Sequence, residues 1–299
     1  LPIALKIVLG EMDSITVTWY RFSLSALIAL LWYGHDSVGA IRRLLSRPLL
    51  PLTALAISGL LLNYIFYLSG LDRTTAEAAQ ILIQVAPLLL LLGSVYLFRE
   101  PFSPLQWSGV AAFSAGLLLF FHHRLSALAQ LEEGYLIGLF LLLLAAITWT
   151  CYGLAQKRLL KSVRANDLLL LIYIAGAICF FPASSPMQAR GLDSLGLIML
   201  VFAGLNTIVA YGCFGMAMTH WESSRVSAVI AIAPLITLLF VFISNEVSPG
   251  FIAAEPLDWL NWLGAVLVVA GSTLAALGNR LLVKMPLTVG AQSKQGEKN

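Results

Sequence analysis

Charge is what this sequence has least of. Asp, Glu, Lys and Arg make up 11% of its 299 residues, where a water-soluble domain carries about 25%. A soluble protein of this length could fill a large core, but this composition cannot supply the polar skin around it, so lipid must be much of the solvent. The formal net charge is only +3 and no basic cluster is interleaved with aromatics, which excludes a nucleic-acid surface. The three cysteines, Cys151, Cys179 and Cys213, sit singly in apolar runs, which excludes a disulfide framework or a metal knot and reads as free buried thiols. His122 and His123 lack an HExxH context, and neither a GxxxxGK(S/T) loop nor a GxSxG elbow occurs. No enzyme activity, cofactor or metal is therefore expected.

What the chain has in quantity is apolar segments of membrane-spanning length. They run over 15–34, 48–71, 75–98, 103–121, 134–156, 166–182, 192–217, 224–245 and 259–282, and a crossing needs about 20 residues. Leu1–Leu9 is apolar but too short to cross. It is read as the end of a first helix whose beginning is absent, the alternative being a surface segment. If every segment crosses, the Lys/Arg groups at 42–47, 99, 157–164 and 280–298 share one side, and that side is expected to be cytoplasmic. Both termini of the intact protein then face the cytoplasm, and 285–299 is a polar tail.

The chain repeats its own grammar. Tyr64, Pro87 and Glu100 correspond to Tyr211, Pro234 and Glu246, and Trp107, Gly109 and Gly116 to Trp262, Gly264 and Gly271. The expected division is a first repeat over 1–121, an external linker over 122–133 and a second repeat over 134–284. Five helices per repeat is an odd number, so the second repeat enters the membrane inverted, the architecture that supports alternating access. Pro87 and Pro234 fall near the middle of matching segments, where proline bends or breaks a helix. They read as hinges, or as kinks that are merely tolerated. Gly109/Gly116 and Gly264/Gly271 each lie seven residues apart, on one helix face that another backbone can approach closely.

Several polar residues lie deep in the apolar segments. Glu77, Gln80 and Gln84 share a face of the fourth segment, and such a face must point into a bundle or an aqueous cavity. Glu77 reads as a helix-terminal cap or as a proton-coupling carboxyl. Gln80 and Gln84 read as cavity lining or as helix-to-helix hydrogen bonding. Asn63, Tyr64 and Tyr67 come from the third segment, Trp149 and Tyr152 from the sixth, and Asn206 and Tyr211 from the eighth. An aromatic wall with amide and hydroxyl groups suits a small organic solute with one apolar and one polar part, ordinary packing being the alternative for the rings. Arg21, a turn or so into the second segment, is explained by snorkelling to the boundary.

WYRFSLSALIALL at 19–31, Ala86-Pro87, FREPFSPLQWSGVAAFSAG at 98–116, Ala233-Pro234, Asn245-Glu246 and NWLGAVLVVAG at 261–271 together resemble the EamA domains of the drug/metabolite transporter superfamily. The resemblance covers almost the whole chain. It implies an all-α integral membrane protein, a ten-transmembrane-helix inverted-repeat carrier of the bacterial inner membrane that works as a monomer. It further implies a central cavity to which Ser227 contributes beside Asn63, Tyr67, Gln80, Gln84, Asn206 and Tyr211. Amino acids or similar metabolites would be exported; drugs or other amphipathic solutes, or a solute channel, are the alternatives.

Overall fold

A computed structural model describes residues 1–98, 102–123, 133–247 and 258–283. Glu100, the linker beyond His123 up to 132 and the tail 285–299 lie outside the described residues. Among the described residues all regular structure is helical: α1 (Pro2–Leu9), α2 (Ser14–Leu44), α3 (Leu50–Arg73), α4 (Ala76–Leu82), α5 (Val85–Phe98), α6 (Pro104–Phe120), α7 (Glu133–Leu159), α8 (Ala165–Phe180), α9 (Ser194–His220), α10 (Ser223–Ile230), α11 (Ala233–Val247) and α12 (Trp259–Val283). In hydrocarbon every backbone group must be paired within the segment, and a helix does this without help.

Seven of these units are long and apolar enough to cross a membrane: α2, α3, α4 continued by α5, α7, α8, α9 and α12. α6 and α11 are shorter apolar helices. Only 22% of the apolar window of α9 is buried, and Leu197, Ile198, Val201, Phe202, Leu205 and Val209 face outward along it. Such a surface is stable only against lipid. The protein is a multi-pass membrane protein.

Two expectations change in the structure. α2 continues to Leu44 instead of ending near residue 34. At 1.5 Å per residue its 31 residues reach about 46 Å, well beyond a hydrocarbon core of about 30 Å. Nothing breaks the helix until Ser46-Arg47-Pro48, and Arg42 and Arg43 suit its C-terminal turn. Cys179 and Cys213 are exposed, not buried, and Cys151 is half-buried. Cys213 stands on the wall of an apolar cavity, and an apolar or lipid surrounding accepts a thiol as readily as a core does.

Helices pair across the two halves of the sequence. α3 packs on α7 and α1 on α9; α5 on α7 and α1 on α11; α2 on α8 and α6 on α12. Exchanging the halves maps each of the first two pairings onto its companion. Arg43 Nη1 donates to the Ser162 carbonyl at one end, while Asp13 N donates to Gln188 Oε1 at the other. Loops expected on one side of the membrane therefore meet.

The α6–α12 contact is the closest of these. A Cβ on Gly116 would lie 2.6 Å from Val268 N and 2.8 Å from Gly264 O, and one on Gly109 would lie 2.8 Å from Gly271 O. Gly109 thus faces Gly271, and Gly116 faces Gly264, on antiparallel backbones. The ends are tied reciprocally. Ser103 and Gln106 form the capping box of α6, and Gln106 Nε2 donates to Ala275 O at 2.9 Å. Asp258 and Asn261 cap α12 in the same manner, and Asn261 Nδ2 donates to Phe120 O.

Gly116→Leu should lower the thermal midpoint in detergent by the equivalent of about 1–3 kcal/mol or prevent folding. Gly134→Leu, where a Cβ meets nothing within 4 Å, should leave it unchanged. A second expectation concerns Asp258, whose carboxyl is held below its ordinary value near 3.8 by the Asn261 N–H and the neighbouring histidines. A depressed value gives stability that is present above the unfolded pKa and lost as pH falls through the folded one. The gap in thermal midpoint between wild type and Asp258→Asn should therefore be full at neutral pH and close below about pH 4.

Candidate functional site

Two proline-interrupted helix pairs, α4/α5 and α10/α11, face each other across the two halves of the sequence. α4 ends at Leu82 and α5 begins at Val85; α10 ends at Ile230 and α11 begins at Ala233. Pro87 cannot donate to the carbonyl of Ile83, nor Pro234 to that of Ile230. The Ile83 carbonyl accepts from Ala86 N at 2.9 Å. The Ile230 carbonyl is approached from the other half by Gln84 Nε2 at 3.5 Å. Ser227 Oγ reaches back to the Pro87 carbonyl at 3.3 Å, and Thr150 Oγ1 donates to that of Ala86 at 3.2 Å. Side chains from across the interface thus supply partners at the interruptions, the condition under which broken helices are tolerated at membrane depth.

A cavity of about 450 Å³ opens beside these breaks, within the usual range of about 300–1,000 Å³ for small-molecule sites. Asn63, Tyr64, Tyr67, Gln80, Gln84, Trp149, Asn206, Tyr211 and Pro87 all line it, together with Thr237 and the apolar Ala210, Ile230, Ala233 and Ile236. Asn63 also ties α3 to α7, its Nδ2 donating to Ala145 O at 2.9 Å. Gln84 combines both roles read for it, since its amide N–H spans the halves. Its Oε1 is buried and finds no donor among the described residues.

The other sequence candidates lie outside this lining. Tyr152 is fully buried behind the wall, its ring 6.0 Å from that of Tyr211. Ser227 is buried against Pro87. Glu77 is buried in the first turn of α4, where the helix dipole suits an acid, and it does not line the cavity. Pro234 sits behind the second break without lining the cavity itself. A second cavity of about 360 Å³ is almost wholly apolar and shares Trp149, Ala210, Tyr211 and Ile230 with the first.

Arg21 is the residue that sequence reasoning misplaced. It does not snorkel to the boundary: it is 3% exposed and lines the cavity. Its Nε donates to Thr207 Oγ1 at 3.0 Å, and its guanidinium carbon stands 4.5 Å from the Tyr64 ring centroid. The signal was present in α2, where Thr18, Arg21 and Ser25 are all polar at spacings of three and four. All three prove buried, so they mark an inward face.

Comparison with known proteins accords with this geometry. The profile of the EamA-like transporter family matches residues 1–122 and again 136–277. A protein of Haemophilus influenzae described as an uncharacterized transporter is 36% identical over 94% of this chain and 92% of its own length. The inner membrane transporter YhbE of Escherichia coli K12, likewise uncharacterized, is 33% identical over 99% of this chain and 94% of its own. A probable amino-acid metabolite efflux pump of the same organism is 24% identical over 93% and 90% respectively. One solved crystal structure superposes with a TM-score of 0.66 over 94% of this chain and 96% of that chain, at 20% identity, a likeness of fold alone. With the profile matched over most of its length, this chain belongs to the EamA-like transporter family.

Proposed function

We propose that the chain is a carrier of the bacterial inner membrane that exports amino acids or similar small organic metabolites by alternating access. The observation that carries this reading is the polar-and-aromatic cavity bounded by two matched helix breaks, one from each half. A ten-crossing arrangement of two inverted halves accounts for the exchanged helix pairings, with α1 in the place of the first crossing. The breaks at Pro87 and Pro234 would let the inner parts of the two crossings swing while the α6–α12 pair holds still. Solute binding must differ only modestly between the two states, or the solute would be trapped in one of them. Function as a monomer is part of this reading.

The amino-acid assignment leans on the similar efflux pump and on a cavity that joins amides to aromatic rings. The apolar neighbour of that cavity favours amphipathic drugs as the second reading. Radiolabelled amino acid flux in sealed proteoliposomes separates these. Saturable flux, suppressed by unlabelled solute, is expected for the full-length protein. Gln84→Ala should reduce it about two- to tenfold, the range of one hydrogen bond. Saturable flux of amphipathic drugs without amino acid flux would select the second reading. Currents of channel size would overturn the carrier. Inversion has its own test: cysteines placed at Asp72 and His220, after removal of the native three, should label from opposite sides of the membrane.

A further inference from the structure

The one charged side chain among the described lining residues is Arg21. A guanidinium stays protonated in any protein setting, and placing it two turns into a membrane helix carries a large desolvation cost unless an opposite charge accompanies it. No Asp or Glu is among the described lining residues. Nor does Arg21 form an ion pair with any described residue: its contacts are the Nε bond to Thr207 and the face of Tyr64. Thr207 Oγ1 spends its own proton on the Ala203 carbonyl at 2.8 Å, so its lone pair is left to hold Nε. The guanidinium plane is thereby fixed from one edge and supported over an aromatic face. Neither Nη group hydrogen-bonds to a described residue, and together these form the fork that matches a carboxylate in two parallel bonds.

We propose that Arg21 is the anion-recognition group of the cavity, and that the transported solute is an organic carboxylate, free or as part of a zwitterion. Its carboxylate pairs with the free edge of Arg21. Its apolar part lies toward Trp149, Ala210, Ile230, Ala233 and Ile236. Charge selects the class. A carboxylate neutralises the guanidinium, and the ammonium of a zwitterion has an acceptor in Gln84 Oε1, which finds no donor among the described residues. A doubly charged phosphate would leave an uncompensated negative charge in the same low-dielectric site. Amphipathic cations meet a fixed like charge and are rejected. The proposal rests on the carrier reading and names the chemistry that the site takes.

The test uses the full-length protein in detergent and in proteoliposomes with three probes: L-phenylalanine, 3-phenylpropionate and 2-phenylethylamine. The first two keep the carboxylate; the third keeps the ring and amine without it. The expected result is that the first two raise the thermal midpoint and compete for one site, while phenylethylamine does neither. Arg21→Gln should weaken binding of the carboxylates at least tenfold, the range for hydrogen bonds to a charged group. Arg21→Lys, which keeps the charge but not the fork, should recover part of it. Should Arg21→Gln fail to fold, the probe pattern on wild type and the Arg21→Lys comparison still decide. Equal binding of phenylethylamine and phenylpropionate, or carboxylate binding unchanged in folded Arg21→Gln, overturns the proposal. Saturable flux of a cationic or neutral solute that ignores Arg21→Gln overturns it while leaving the carrier standing. No binding and no flux for any probe with folded, inserted protein overturns both.

Discussion

Everything in this structure answers to one constraint: inside the hydrocarbon there is no water to take up a backbone N–H or C=O that the protein leaves free. Unbroken helices meet the constraint alone, which is why the described chain is helix after helix. The two proline breaks do not: the Ile83 carbonyl turns to Ala86 N within its own half, and the opposite half reaches across to both breaks. Gln84 turns to the Ile230 carbonyl that Pro234 orphans, and Ser227 turns to the carbonyl of Pro87. The interruptions are consequently confined to the interface between halves. That is also where a cavity can form, because groups that satisfy an interrupted backbone can equally satisfy a solute.

The remaining helices contrast one very close contact with interrupted backbone. α6 and α12 touch backbone to backbone through four glycines and are pinned at both ends by amide-to-carbonyl bonds. Small residues at such a contact maximise dispersion and leave no side chain to rearrange. α4, α5, α10 and α11 have the opposite character: short helices whose continuity is interrupted in the middle.

Much of this was legible in the sequence, and the reasons differ from part to part. Apolar runs of crossing length gave the helices because the bilayer imposes a length. The matched prolines gave the breaks because proline's missing N–H acts locally, whatever the surroundings. The glycine pairs gave a packing face because a spacing of seven returns to one side of a helix. Gln80, Gln84, Asn63 and Asn206 were recognisable as inward-facing because lipid tolerates them poorly. What sequence could not give was depth. Arg21 lies near a segment end, where snorkelling is the cheaper explanation for a long cation, and only the packing of α2 on α9 shows that the boundary is out of its reach. Tyr152 and Ser227 failed as lining residues for a related reason. A helix periodicity gives the face a residue is on, but not which neighbour already covers it. The length of α2 was missed because polar residues end an apolar run without ending a helix.

The reciprocal tie between α6 and α12 has a consequence for how the protein is made. Gln106 and the carbonyl it needs are 169 residues apart, and α12 is the last described helix of the chain. At a synthesis rate of about 5–20 residues per second, α6 waits on the order of ten seconds or more before its partner is translated. Throughout that interval its glycine face and its capping amide stand in the membrane with their final contacts not yet in existence. The first half must therefore be inserted and held as an incomplete unit until α12 has been made and can close on it.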